Sequence, residues 1–230
     1  ENVNSYSHLG HIVASSFTDN DDILSRRNSL IGQANTMICF FNKLSFVVRL
    51  KLFKSFCSSM YGCELWPLQD ASIDVFCVAW RKTLRRIMGL PQNAHTYLIP
   101  IVSDSLPIFD EICKRSSRFI LSCLSSSSHL VRSISCHSVV VAKYNSALGA
   151  NALFCCKRFG WSCSEFITNS VAHNNSFFRH YFNSHVSDVE HNKAMLLLES
   201  IFLRENSLFL PPNFFVYNEL DDIINFVSTS

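Results

Sequence analysis

Residues 73–88, IDVFCVAWRKTLRRIM, carry the clearest helical periodicity in the chain and decide its fold class. Placed at roughly 100° per residue, the apolar positions fall within an arc of about 100°. Gly89 and Pro91 follow as stop signals. The stretch therefore predicts an amphipathic helix. Its apolar face comprises Ile73, Phe76, Cys77, Trp80, Leu84 and Ile87. Its outer face carries four cations, Arg81, Lys82, Arg85 and Arg86.

Similar periodicity on both sides of this stretch predicts a mainly α fold. A short strand containing a glycine is expected at Ser7–Ser15, where the pattern is SHLGHIVAS. Only 6 Gly and 6 Pro are present, which favours long helices over a many-stranded sheet. The other predicted helices are Ile23–Asn42, Phe46–Leu65, Pro107–Leu124, Val139–Leu153, Ser164–Ala172, Asn192–Leu203 and Asn218–Val227.

The charge distribution is uneven although the net charge is only +2. Residues 23–99 contain ten Lys/Arg and three Asp/Glu, whereas residues 131–230 contain seven and eight. A basic first half predicts a polyanionic partner for that half. For the cationic face of residues 73–88 two interpretations stay open. It contacts nucleic-acid phosphates, or it is an ordinary solvated helix face without acidic i,i+4 partners.

The ten cysteines do not form a pattern typical of a small disulfide-stapled domain. The first residues are polar and lack the apolar core of a signal peptide. We therefore expect a reduced, intracellular protein. No run of 18 apolar residues occurs, so we expect no membrane partner. The chain begins without Met, and we interpret this start as a fragment boundary.

Two groups of residues invite a metal-binding interpretation. Asp21-Asp22 could bind Mg²⁺, but their position at a helix start favours helix capping, with N-cap candidates at Thr18, Asp19 and Asn20. The second group has spacings that form no local zinc knuckle, and we expect no zinc there. It comprises Cys155, Cys156, Cys163, His173 and His180.

Several runs, taken in order, resemble the region after the catalytic palm in non-LTR (LINE-type, jockey-like) retrotransposon reverse transcriptases. No single run is diagnostic, but the ordered series with similar spacings is fairly specific. The runs are HLGHIV at 8–13, DDILSRRNSLIGQANTM at 21–37, VVRLKLFKSFCSSMYGCELW at 47–66, VAWRKTLRRIMGLP at 78–91, AHTYLIPIV at 94–102 and ELDDIINFVSTS at 219–230.

The resemblance implies a division of the chain. Residues 1–17 would end the palm as a strand or hairpin, and 18–124 would form a basic, thumb-like helical bundle. Residues 125–128 are a serine loop, and 129–230 would be a further helical region. His8, Leu9 and Gly10 match the strand that helps to hold the primer end. The thumb would follow the RNA–DNA duplex through Arg81, Lys82, Arg85 and Arg86, together with Arg49, Lys51 and Lys54.

The aromatic-x-Asp-Asp motif of the palm is absent from this sequence. We therefore expect no cofactor in this chain, since Mg²⁺ would bind the parent polymerase, and no polymerisation by the chain alone. The resemblance implies RNA–DNA hybrid or RNA as a partner. It also implies contacts with the palm, fingers and endonuclease of the parent, which would work in the nucleus and cytoplasm. The alternatives are a degenerate remnant without function and a host-recruited helical interaction module.

Overall fold

The computed structural model describes residues 5–8, 10–16, 18–58, 60–168 and 175–207. The fold is mainly α with a short antiparallel strand pair near the N-terminus, which confirms the predicted fold class. The strands are β1 (Ser5–His8) and β2 (His11–Ala14). The helices are α1 (Asn20–Phe41), α2 (Phe46–Leu52), α3 (Ser72–Met88), α4 (Leu98–Val102), α5 (Ile108–Leu124), α6 (His129–Cys136), α7 (Ala147–Phe159), α8 (Cys163–Thr168), α9 (Asn175–Ser184) and α10 (Asp188–Ser207).

The chain divides into two compact units, each built from segments that are distant in sequence. Unit 1 comprises Glu1–Arg26, Met60–Phe76 and Ile108–Ser184. Unit 2 comprises Arg27–Ser59, Cys77–Pro107 and His185–Ser230. The serine loop 125–128 lies between α5 and α6, within unit 1.

The N-terminal segment forms a hairpin, so the stretch predicted as a short strand at Ser7–Ser15 contains the end of β1, the turn and β2. Ser5 pairs with Ala14 and His8 with His11. Gly10 lies in the turn with φ +82°, a conformation that residues with a β-carbon rarely adopt. Glycine at this position therefore ends one strand and allows the chain to return antiparallel to it.

The helix predicted at Phe46–Leu65 is shorter and less regular than expected. The α-helical part ends at Leu52, a π-helical turn covers Phe53–Cys57, and a separate 3₁₀ turn forms at Cys63–Leu65. The Ser58 hydroxyl donates a hydrogen bond to the Lys54 carbonyl. A serine that bonds the preceding turn in this way competes with the helical backbone pattern, which accounts for the early end.

The helix predicted at Val139–Leu153 is divided among three elements. A π-helical turn at His137–Ala142 and a 3₁₀ turn at Lys143–Asn145 precede α7. Ser146 caps α7, because its hydroxyl accepts the Gly149 N–H at 3.0 Å. A β-carbon at Gly149 would stand 2.3 Å from the Ser138 carbonyl oxygen, so only glycine allows the two backbone segments to approach.

Other helix predictions agree with the structure apart from their ends. The helix expected at Ile73–Met88 is α3, and the one expected at Pro107–Leu124 is α5. Helix α9 was not predicted, although Phe177, Phe178 and Tyr181 have helical spacing. The predicted helix at Asn218–Val227 lies outside the described residues.

Each unit has its own apolar core. In unit 1, Trp66 and Phe76 are fully buried and meet edge to face, with ring centroids 5.3 Å apart. An aromatic cluster around Phe178 forms a second part of this core and includes Phe159, Trp161, Phe166, Phe177 and Tyr181. In unit 2, Phe53 and Trp80 meet at 5.0 Å and hold the α2 segment against α3.

Candidate nucleic-acid interface

The outer face of α3 is defined by what the helix buries. All six predicted apolar positions are buried, at 8 % exposure or less, which confirms the predicted face. Beyond it, Lys82 and Arg86 are exposed, whereas Arg81 and Arg85 are half-buried. Side chains three and four residues apart are neighbours on a helix. The four cations therefore form one continuous strip on unit 2.

Arg85 is bound to the loop that follows α3. Its guanidinium donates Nε and Nη2 hydrogen bonds to the Ala94 carbonyl at 3.0 and 2.7 Å. Nη2 also donates to the Thr96 hydroxyl at 3.1 Å. Burial, with the nearby Arg81 charge, lowers the pKa of Arg85. Most of its donors are already occupied by protein acceptors, so Arg85 holds the loop in place.

The other three cations of α3, Arg81, Lys82 and Arg86, differ from Arg85 because none of them, within the described part of the chain, is bonded to the loop after the helix. Arg86 Nη1 donates to the Asn35 side-chain oxygen on α1 at 2.7 Å. Among the described residues, none of Arg81, Lys82 and Arg86 forms an ion pair with a carboxylate. Their positive charges are consequently not neutralised by a neighbouring acid within that part of the chain.

The second predicted group of cations belongs to α2 and the π-helical turn after it. Lys51 is exposed and Arg49 is half-buried. Lys54 Nζ donates to the Ser103 and Asp104 carbonyls at 2.6 and 3.1 Å, which ties the π-helical turn to the loop after α4. Like Arg85, Lys54 therefore stabilises a loop. All seven predicted cations belong to unit 2.

The predicted primer-end match belongs to unit 1, whereas the predicted cations belong to unit 2. His8 and Gly10 are exposed on the hairpin, and Leu9 lies outside the described residues. The Gly10 carbonyl accepts a hydrogen bond from the Arg26 guanidinium, which also lies 5.9 Å from the Tyr61 ring centroid. The turn is therefore fixed to the start of α1 by a cation.

Asp22 organises this part of unit 1, a role that the sequence did not reveal. The helix-start position is confirmed, because Asp21 and Asp22 lie in the first turn of α1. However, the Asp22 side chain is fully buried and accepts the Ile12 N–H at 3.1 Å and the Trp66 indole N–H at 2.8 Å. Its carboxylate therefore joins the hairpin and Trp66 to the first turn of α1.

A histidine lies between two carboxylates beside this network. His11 Nε2 is hydrogen-bonded to Asp19 Oδ1 at 3.0 Å, and His11 Nδ1 lies 3.2 Å from Asp22 Oδ2. Burial raises the pKa of Asp19, against the opposing effect of His11. Within the described ranges, no group of three or more His, Cys, Asp or Glu side chains is arranged to hold a metal ion.

No protein family, curated protein or solved structure matches this chain. No single helix in the described ranges has the length and apolar character to cross a membrane; one bent pair, His129–Asn145 with Ala147–Phe159, meets those criteria jointly at an angle of 80°. The physical description of the two units is thus the basis for any functional argument.

Proposed function

We propose that this chain is the thumb-and-tail part of a non-LTR reverse transcriptase and that unit 2 holds an RNA–DNA duplex by its phosphate backbone. The observation that carries the proposal is the outer face of α3. There Arg81, Lys82 and Arg86 have no carboxylate partner among the described residues. The ordered resemblance to the region after the palm supplies the class of partner.

The sequence around this face strengthens the electrostatic argument. Residues 27–59 and 77–107, the two segments of unit 2 that carry the predicted cations, together contain nine Lys/Arg and one acid, Asp104, whereas the third segment, residues 185–230, contains two Lys/Arg and seven acids. Such an excess attracts a polyanion, and each neutralised phosphate releases a condensed counterion. A row of long cationic side chains on a helix contacts the phosphate backbone and recognises the shape of the duplex, because it has few groups suited to base edges.

The proposal assigns one of two roles to six of the seven predicted cations. Lys82, Arg81, Arg86 and the exposed Lys51 would contact phosphates. Arg85 and Lys54 would hold the loops that keep α2 and α3 in position, since their donors already bond backbone carbonyls. The parent palm and fingers would supply catalysis and Mg²⁺.

The test is a fluorescence-anisotropy titration of the full chain with an RNA–DNA hybrid at salt concentrations between about 50 and 200 mM. For about four neutralised phosphates, the affinity is expected to fall roughly a hundredfold over this range. A B-form DNA duplex of equal length is the control for shape. Absent binding, or binding that does not respond to salt, would contradict the proposal.

A further inference from the structure

A groove in unit 2 between α1 and the α2 segment has no assigned role. It encloses about 570 Å³, a size typical of sites that accept several apolar side chains. Its small and polar lining comes from Ser29, Gly32, Gln33 and Thr36. Its apolar lining comes from Met37, Phe40, Phe41, Leu52, Phe56 and Cys57. We call this feature the α1–α2 groove.

The aromatic rim of the groove is exposed to an unusual degree. Phe40 is 77 % exposed and Phe56 is 69 % exposed, although both are large apolar side chains. Further exposed apolar side chains are Phe41 at the end of α1, Leu44 in the loop after it and Val48 on α2. Contiguous apolar surface of this kind typically marks an interaction site, because leaving it in water is unfavourable.

The charge around the groove limits what can bind there. Residues 27–59, the segment of unit 2 that forms both walls, include five Lys/Arg and no Asp or Glu. Lys43 and Lys51 are exposed on these walls. An occupant with apolar side chains on one side and carboxylates on the other would complement both the aromatic rim and the positive surroundings.

The chain itself contains a segment with this chemistry. Residues 206–230 carry three carboxylates, Glu219, Asp221 and Asp222, and no Lys or Arg. Between the carboxylates and after them, apolar residues recur at intervals of three, four and seven, which suits one face of a helix. They are Leu220, Ile223, Ile224 and Val227. We propose that residues 208–230 bind in the α1–α2 groove of the same chain.

The position of α10 makes this binding geometrically possible. Phe202, near the end of α10, meets Phe46 edge to face with ring centroids 5.0 Å apart. Phe46 begins α2, and Phe56 lies ten residues further, roughly 15 Å along the helix axis. From Ser207 to Leu220 an extended chain spans up to about 43 Å. The segment therefore has ample length to reach the groove.

Covalent connection also favours this occupant over a separate one. A segment tethered by a short linker has an effective concentration on the order of millimolar, so even a weak helix-in-groove contact is largely occupied. The inference depends on the groove and the terminal segment alone. It does not rest on the proposed nucleic-acid function.

The test places the photocrosslinking residue p-benzoylphenylalanine at position 40 or 56 of the full chain, one at a time. Both native side chains are mostly exposed, so the substitutions leave the fold intact. After irradiation, mass spectrometry is expected to find crosslinks to residues 208–230 in protein of monomer mass. The same residue at position 78, an exposed apolar site on α3 in unit 2, controls for general reactivity.

Two matched variants test the chemistry of the contact. I223D/I224D would place carboxylates against the aromatic groove, and we expect at least a roughly fivefold lower crosslink yield. S228D/T229D adds the same charge at polar positions and is expected to keep the yield. Crosslinks found only at dimer mass would assign the groove to a second copy and overturn the proposal. Crosslinks only to other segments, or none, would also overturn it.

Discussion

The two units use their charged side chains differently. In unit 1 the two acids at the start of α5 bind three cations: Asp110 Oδ1 accepts both Arg158 hydrogen bonds at 2.6 and 2.8 Å, and Glu111 pairs with Lys114 and Arg115. In unit 2 the cations of α3 bond carbonyl or amide oxygens, or have no carboxylate partner among the described residues. The carboxylates of α5 therefore neutralise cations within unit 1, whereas Arg81, Lys82 and Arg86 on α3 keep their charge within the part of the chain that the structure describes.

The difference shows that cation content alone does not identify an interface. Residues 112–164 contain seven Lys/Arg and no acid, yet they follow Asp110 and Glu111, which bind several of those cations in the folded chain. The corresponding cations of α3 have no such neighbours on their helix face. A cation is available to a polyanion only if no carboxylate lies within ion-pair distance of it in the folded chain.

The largest effect is expected at the buried carboxylate of unit 1. Asp22→Ala would leave the Trp66 indole and the Ile12 N–H without their acceptor, and we expect it to lower the free energy of unfolding by about 3 kcal/mol. Asp21→Ala, at the exposed neighbour, is expected to cost less than about 1 kcal/mol. Urea denaturation of both variants measures the difference. Equal losses would contradict the structural role of Asp22.

A smaller loss of stability is expected at α3, where it distinguishes Arg85, which holds a loop, from Lys82, which is exposed. Arg85→Met would remove the hydrogen bonds to Ala94 and Thr96 and is expected to cost about 2 kcal/mol of stability. Lys82→Met, on the exposed surface, is expected to change stability by less than about 0.5 kcal/mol. Thermal or urea unfolding distinguishes them. If Lys82→Met were the more destabilising change, the separation into loop-holding and phosphate-binding cations would be wrong.

The smallest effect concerns Asp19 and pH. Because burial raises the pKa of Asp19, the folded state binds this proton more tightly than the unfolded state does. Its contribution is therefore most favourable at low pH and declines as the pH rises through the raised value, starting above the ordinary value of 3.8. In Asp19→Asn this decline should be missing. Unfolding free energies measured across the acid range would show parallel curves if the pKa of Asp19 were ordinary.

Local patterns in the sequence were sufficient to predict which face of a regular helix is buried. The apolar face of α3 was predicted residue by residue, because helical periodicity depends only on neighbours within two turns. The π-helical turn at Phe53–Cys57 was missed because such turns have no comparable sequence period. The spacing of Phe177, Phe178 and Tyr181 in α9 is a local helical pattern of the same kind as that of α3.

The roles of individual charged residues were harder to predict, because they depend on distant partners. Asp22 meets Trp66, 44 positions away, and a helix-start aspartate gives no sign of that contact. Arg85 bonds a loop that lies beyond the glycine and proline after α3. Its sequence environment resembles that of Lys82. Only the folded chain shows that the Arg85 guanidinium is bonded to the Ala94 carbonyl, whereas Lys82 is exposed.

The most direct test of the central claim compares two triple variants of equal charge in salt-dependent binding to an RNA–DNA hybrid. R81Q/K82Q/R86Q removes the outer cations of α3, and R132Q/K143Q/K157Q removes three exposed cations of unit 1. The account predicts that the α3 variant reduces the slope of log affinity against log salt by about 2 to 3, whereas the unit 1 variant leaves it nearly unchanged. Equal reductions in both variants, or no reduction in the α3 variant, would contradict the account.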